Sequence, residues 1–591
     1  VSIIGEEGTV IKPSLIDKAK VSLSQIIWVD NLPDKLSKTE SMNVVLEGLI
    51  IDGENVQGTA YGIRANTGKT PIDITISDNE IRHIQSEGNC YGIYVASVVS
   101  ATIAGNKVHE IESLPDYNKW ISGRAYGIYT ENIGHLEIRN NELSGILSSD
   151  GDAYAIHVQG TGGEFGKTIP DTEIIISDND ITDVENAIYV RSVPDLLIEE
   201  NHVVFESIVG IAIDIGSMDM RKSGNDLTKS SEGMAEREKI SGQKLTPPDW
   251  TWTLIGNKLS GLVSERSVPD KKMEPSGGMI LSGNIFDLSG PDIEVNARDN
   301  IVREFSQGIV ALGDDYLTVN VHHNVINGNE EGVISMCFGS PDKSEVPPVV
   351  NATNNWWGDP SGPGGEGPGS GDSVSEDVAY SPWLGNEPGS QDATQYIVDQ
   401  SGSVQDAVDD ARNRGGSGHR ITFQGLFTDG LDASGSGVIL SPGSSPGHAS
   451  FTGDFSMGAT ETLEVDIDGP DPGTGYDQIA VSGDINLGGA ALLVNLGFSP
   501  ELGDQFTILQ GEGSIDNEFS AGGTITATNG GFRYMFSISY PDATKGSPSY
   551  NNEVVLTVED IQSNAVATPL GLWSLLLAAG LTMTFLIRRK Q

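Results

Sequence analysis

Cysteine and positive charge are what this sequence has least of. Two cysteines in 591 residues, Cys90 and Cys337, exclude a disulfide framework, and their apolar neighbours suit buried free thiols. Thirty-five Lys and Arg against 83 Asp and Glu leave a formal charge of −48. A phosphate backbone or an anionic lipid surface is held by clustered cations, so no nucleic-acid partner is expected. The nine histidines are dispersed without a metal spacing, which speaks against zinc or copper. Few cysteines do not exclude export, because a large protein with a continuous core needs no staples.

Glycine is abundant instead. Its 73 residues follow no collagen period and mix with Asn, Asp, Ser, Ile and Val, a composition of short strands joined by tight turns. The 37% of hydrophobic residues is enough for a buried core, and the length allows three or four domains.

Two blocks recur. The first reads Tyr61-Gly62-Ile63, Tyr91-Gly92-Ile93, Tyr126-Gly127-Ile128 and Tyr154-Ala155-Ile156, with weaker copies at Ala187-Ile188, Gly210-Ile211, Gly308-Ile309 and Gly332-Val333. The second places an asparagine before a short apolar pair, at Asn79, Asn106, Asn141, Asn179, Asn201, Asn257, Asn300 and Asn324. Asparagine tolerates the left-handed backbone of a tight bend, and its amide can bond the same residue one repeat away, so these eight are expected to form a ladder. Strands between them alternate, as in Ile72, Ile74 and Ile76, so each repeat turns one face inward and stacks on the next.

These repeats resemble the right-handed parallel β-helix of pectate-lyase-like proteins. The resemblance covers residues 1–384 and implies an all-β solenoid of about ten to twelve coils at ~4.8 Å each. Asn354-Asn355-Trp356-Trp357-Gly358-Asp359-Pro360, closed by Tyr380-Ser381-Pro382-Trp383, resembles the last coil of many bacterial β-helix proteins, where the tryptophan pair would plug the core. A polar insertion over about 216–250 interrupts the repeat and reads as a surface loop. The chain starts Val1-Ser2-Ile3-Ile4 in what reads as mid-domain, so an N-terminally truncated β-helix is expected.

Residues 385–434 read as a linker with one short helix, since Val404, Ala407, Val408 and Ala411 fall on one helical face. Residues 435–560 read as a β-rich stalk domain, and Gly475-Tyr476-Asp477-Gln478-Ile479, Gly483-Asp484-Ile485-Asn486-Leu487 and Gly503-Asp504-Gln505-Phe506 resemble strand repeats of autotransporter passenger domains. The last segment, 561–591, holds an uncharged apolar run, Leu570 to Ile587, long enough to cross a bilayer as one helix. Arg588, Arg589 and Lys590 follow it and would sit on the cytoplasmic side, leaving the rest of the chain outside. With Pro569 and Trp573 ahead of the run, the tail resembles the PEP-CTERM and IPTL-CTERM sorting signals of Gram-negative bacteria, although the motif departs from the usual Pro-Glu-Pro or Ile-Pro-Thr-Leu. That resemblance implies export, placement at the cell envelope or surface, and a sorting protease or transpeptidase as partner.

The β-helix family hosts lyases, epimerases and polygalacturonases. Asp314 and Asp315 followed by His322 resemble the carboxylate cluster of polygalacturonases, where paired acids protonate a leaving oxygen and activate water. No Gly-His-Gly or Arg-x-Lys follows, no Asn-x-Asp lies in the preceding coil, and a solvated turn is the better explanation of the pair. A lyase would need a base beside a calcium cluster; Asp150/Asp152, Asp178/Asp180 and Asp214/Asp219 are acidic turns but do not by themselves supply six converging oxygens. Calcium therefore stays open and no cofactor is assigned. Tyr61, Tyr91, Tyr126 and Tyr154 occupy equivalent positions and form either a glycan-binding ladder or a purely structural stack. Two readings remain. The first is an exported, surface-anchored, non-catalytic module that binds extracellular polysaccharide or a neighbouring cell; the second is an extracellular lyase or glycoside hydrolase acting on uronate-containing glycans.

Overall fold

The computed structural model describes residues 42–540 apart from 54–57, 67–71, 116–122, 150–151, 161–172, 194, 206–208, 215–249, 262–275, 283–291, 314, 338–345, 390–393 and 444–445, together with 552–563 and the strands 2–4, 10–11 and 23–30. It is all-β apart from one described helix, and it divides into two units, Val1–Ser390 and Gln391–Gln591.

In the first unit three short strands make one coil. Ile72–Ser77, Glu80–Ser86 and Cys90–Ala96 form one coil, and Ser100–Ala104, Lys107–Ser113 and Ala125–Glu131 form the next. Each strand pairs in parallel with its counterparts one coil before and after, so the described strands build three parallel sheets of twelve, ten and twelve strands. This is a parallel β-solenoid. Period-two alternation sets what each sheet buries: Ile72, Ile74 and Ile76 are buried while Asp73, Thr75 and Ser77 are not. The inward column of the first sheet then runs in register through Ile74, Ala101, Leu136, Ile174, Leu196, Trp252, Val295, Val319 and Val350. Burying a continuous aliphatic column is what holds coils that have no closed core of their own.

The insertion leaves this register intact. Strands Asp195–Glu199 and Trp250–Ile255 pair residue for residue although 50 residues, the strands His202–Phe205 and Val209–Asp214 among them, lie between them in sequence; residues 215–249 themselves lie outside the described residues. At the far end of the unit only one tryptophan of the adjacent pair is buried. Trp357 is fully buried and Trp356 is half-buried, which corrects the expectation of a plugging pair: neighbours in an extended chain point to opposite sides. The second buried ring there is Trp383, whose Nε1 donates to the Pro360 carbonyl at 3.2 Å. Cys90 is buried and free, and burial pushes its thiol up to about 12; Cys337 is only partly buried, unlike the expectation for it.

The second unit repeats the principle. Residues 385–434, expected as a linker, do contain the helix, Val404–Arg414, with Val404, Ala407, Val408 and Ala411 as its buried face and Ser403 capping the Asp406 amide. They also carry strands that pair in parallel with strands of 435–560. Arg420–Phe423 pairs with Ile439–Pro442, Gly425–Phe427 with His448–Phe451, and Leu431–Asp432 with Phe455–Ser456. Residues 435–560, expected as a stalk domain, are thus mostly a parallel coil as well, finished by the antiparallel strands Thr524–Asn529, Phe532–Ser539 and Asn552–Ser563. Strands of two to four residues are too short to show a period, so the sequence pattern there reads as a linker.

One buried acid sets a pH dependence in this unit. Asp477 is fully buried and accepts the amides of Gly447 at 2.6 Å and Asp466 at 2.8 Å. Desolvation pushes its carboxyl up to about 7, against those hydrogen bonds and with help from the Asp466 and Asp468 charges. A raised carboxyl favours the folded unit below the unfolded value and loses that contribution as pH rises through about 7. Comparing wild type with Asp477→Asn by thermal unfolding, the wild-type advantage is expected to shrink by about 1–3 kcal/mol between pH 5 and pH 8. A constant difference would contradict this.

Candidate functional site

Two polar or aromatic columns run along the first unit, an inner one and an outer one in which Tyr91 and Tyr126 are buried and Tyr61, Tyr94, Tyr129 and Tyr154 half-buried. The inner one is amide. Asn79, Asn106, Asn141, Asn179, Asn201, Asn257, Asn300 and Asn324 are all buried, and each Nδ2 donates to the Oδ1 of the next at 2.9–3.0 Å. The last bonds Asn355 at 3.0 Å, a ninth member that the repeat pattern did not single out because it lies in the end coil. Each amide also satisfies a carbonyl of the preceding coil, as Asn106 does with Ile76 and Asn257 with Ile198. The left-handed residue is not the asparagine, as expected from sequence, but the one before it: Asp78, Gly105, Asn140, Asp178, Glu200, Gly256, Asp299, His323 and Asn354 all have φ between 51° and 67°. That residue makes the bend, which leaves the asparagine side chain free to turn inward.

The outer column is aromatic. Tyr61, Tyr91, Tyr126 and Tyr154 stand in register on the third sheet, with ring centroids 4.9, 4.8 and 5.6 Å apart and planes within 13°. A second column lies beside it, made of Arg64, Tyr94, Tyr129, His157 and Tyr189. Tyr94 stacks on Tyr129 at 5.3 Å, and the two columns meet edge to face, Tyr91 against Tyr94 at 5.3 Å and Tyr126 against Tyr129 at 5.1 Å. Arg64 lies over the Tyr61 and Tyr94 rings at 5.5 and 5.8 Å.

Residues three apart face opposite ways in a regular strand, so this double column needs an irregular one. The glycine supplies it. Gly62, Gly92 and Gly127 are skipped in the strand register, and a Cβ on Gly92 would lie 2.6 Å from Val108 Cγ1 and 2.7 Å from the Gly127 carbonyl oxygen. The Tyr-Gly-Ile repeat is thereby explained: one ring on each side of a bend that only a very small residue permits. The second column was missed in the sequence, although reading the fourth residue of each block (Arg64, Tyr94, Tyr129, His157) would have found it.

Electrostatics keep this strip neutral at its rings and charged at its margins. Burial pushes every one of Tyr91, Tyr94, Tyr126, Tyr129 and Tyr154 upward, Tyr94 to about 12, so all stay phenols that can donate a hydrogen bond. Tyr94 Oη lies 3.5 Å from Glu131, and Arg124 pairs with Asp152 at 3.5 Å. Within the strip His157 is only 7% exposed, and neither of its ring nitrogens has a hydrogen-bond partner.

Among the described residues the carboxylate candidates do not converge. Asp315 is exposed in a turn at the start of the strand Leu317–His322, and His322 ends that strand, its Nδ1 3.0 Å from the Thr353 carbonyl. Asp314 lies outside the described residues. Of the acidic turns, Asp152 pairs with Arg124, Asp178 forms a left-handed bend, and Asp180 lies 3.2 Å from His202. On the second sheet Asp52 holds His83 Nδ1 at 2.7 Å and Arg82 at 3.3 Å, while His83 also meets Glu110 and His109 meets Glu80 at 3.3 Å. This is a ladder of polar contacts linking neighbouring coils. Among the described residues no three metal-ligating side chains converge. Pro569, Trp573, Arg588, Arg589 and Lys590 lie outside the described residues, as does the apolar run; among the described residues no helix is long and apolar enough to cross a membrane.

The fold and strip define a class: an all-β chain of two parallel-coil units, one of them carrying a double aromatic column. Compared with known proteins, the chain matches no family model and no curated relative.

Proposed function

We propose that this chain is an exported surface module that binds extracellular polysaccharide through the aromatic strip of its first unit and does not cleave it. In this reading the coil is right-handed and pectate-lyase-like, as parallel crossovers nearly always are right-handed. The C-terminal tail sends the protein to the cell envelope, where a sorting protease or transpeptidase processes it.

The observation that carries the reading is the period of the strip. Its tyrosines repeat every 4.8–5.6 Å, once per coil, close to the advance of an extended glycan per sugar ring. Most ring faces are spent on neighbouring rings, so the strip offers a glycan phenol edges, with Arg64, Arg124 and Asp152 at the margins. Hydroxyl donors at regular spacing recognise a polymer of hydroxyls without needing a deep pocket. The strongly acidic remainder of the chain disfavours nonspecific adhesion to anionic surfaces.

Binding to a panel of neutral and uronate-rich polysaccharides, read by affinity electrophoresis, tests it. Tyr94→Ala and Tyr129→Ala are expected to cost about 1 kcal/mol each, roughly a fivefold loss of affinity per ring, with the far-ultraviolet circular dichroism unchanged. Binding that survives both substitutions would move the site off this strip.

A further inference from the structure

His157 occupies a position that tyrosine fills in the coils on either side. It sits between Tyr129 and Tyr189, with ring centroids 4.9 Å from each, and meets Tyr126 and Tyr154 edge to face at 5.4 and 5.1 Å. Its two nitrogens are sealed from solvent and have no partner. A neutral imidazole in that place forfeits hydrogen bonds, but an imidazolium would be a desolvated, unpaired charge, which is far costlier.

The groups around it deepen the penalty. On the preceding strand are Tyr126, Tyr129 and Glu131, with Arg124 just ahead of it; on its own strand Tyr154, with Asp152 just ahead of it; on the following strand Tyr189 and Arg191, with Glu185 just ahead of it accepting the Ala153 amide at 3.0 Å. Arg124 and Arg191 oppose a further positive charge, while Asp152 is already engaged by Arg124. Nothing among these neighbours offers the ring a carboxylate at hydrogen-bond distance.

We propose that His157 is an acid-released latch in the aromatic strip: neutral, it closes the column between Tyr129 and Tyr189; protonated by solvent, it leaves the column and opens that rung. Only an N–H bond forms, and the proton comes from water. Opening frees the faces of Tyr129 and Tyr189 that His157 covers, leaving a gap of roughly one ring between them. That the gap alters polysaccharide binding rests on the function proposed above; the opening itself does not.

The direction of the pH effect follows from the same burial. Desolvation, with Arg124 and Arg191 adding to it, holds the closed ring down to about 3 against an ordinary value of 6.5. The closed column therefore has its full stability above about 6.5 and loses it as pH falls towards 3, the open form gaining up to about tenfold per pH unit.

Hydroxyl-radical footprinting of the intact chain from pH 7.5 to pH 4, read by mass spectrometry at Tyr129, Tyr189 and Tyr61, tests the latch. The expected result is a severalfold rise at Tyr129 and Tyr189 on acidification, with Tyr61 unchanged, and no such rise in His157→Tyr or His157→Phe. A flat wild-type profile, a parallel rise in both variants, or a simultaneous rise at Tyr61 would overturn it. Polysaccharide affinity measured at both ends of the range separates the two proposals: no binding at either pH, with the footprint change intact, removes the glycan reading and leaves the latch standing.

Discussion

Replacing Asn257 by alanine is expected to cost the first unit about 3–5 kcal/mol. Its Oδ1 accepts both the backbone amide and the Nδ2 of Asn201, and its Nδ2 donates to the Ile198 carbonyl at 2.9 Å and to Asn300 Oδ1 at 3.0 Å. All of these partners are buried, so removing the amide leaves donors and acceptors that water cannot reach, at about 1–3 kcal/mol for each group left unsatisfied. The position is also the one at which a coil closes across the insertion, since Asn201 and Asn257 are 56 residues apart. Urea unfolding followed by circular dichroism measures the loss. A change below 1 kcal/mol would mean that the ladder is replaceable by solvent, and the sealed interior described above would be wrong.

Gly92→Val should be comparably damaging for a different reason. A Cβ there already meets Val108 Cγ1 at 2.6 Å and the Gly127 carbonyl oxygen at 2.7 Å, and two further methyl groups have nowhere to go. Overpacking that forces backbone to shift typically costs about 1–3 kcal/mol, occasionally more, and two clashes under 3 Å put this site at the upper end. Because the glycine permits Tyr91 and Tyr94 to share a face, the substitution should also disturb the aromatic strip, visible as a loss of near-ultraviolet tyrosine dichroism. The fourth copy of the block carries Ala155, so a single methyl is accommodated at that coil, and Ala155→Gly is expected to change stability by less than 1 kcal/mol. Equal effects at the two positions would contradict the geometric argument.

The repeats were legible because they are signals of period. Each Asn and each Tyr-Gly-Ile block recurs at the spacing of one coil, and a residue that recurs in a solenoid stacks on itself. What escaped has equally physical causes. The left-handed bend residue varies freely among Asp, Gly, Asn, Glu and His, since several short polar residues and glycine tolerate that backbone, so it leaves no letter to follow. Strands as short as Leu431–Asp432 carry no alternation, and the start of the second unit therefore read as a linker. His157 was visible as a letter but not as a problem: its unpaired nitrogens exist only once Tyr129 and Tyr189 are packed against it. Asp315 and His322 resemble part of a polygalacturonase cluster in sequence, yet Asp315 lies in the turn ahead of the strand that His322 ends, and an extended strand carries one far from the other.

The proposed function requires that the chain bind a glycan without breaking it. Incubating it with uronate-rich and neutral polysaccharides, with and without calcium, while following both retention on the polymer and the appearance of unsaturated uronate or new reducing ends, tests that claim directly. Retention that falls in Tyr94→Ala and Tyr129→Ala is expected, with no product under any condition. Product that forms in wild type and disappears in Asp314→Ala or Asp315→Ala would contradict it and place a catalytic site on that coil.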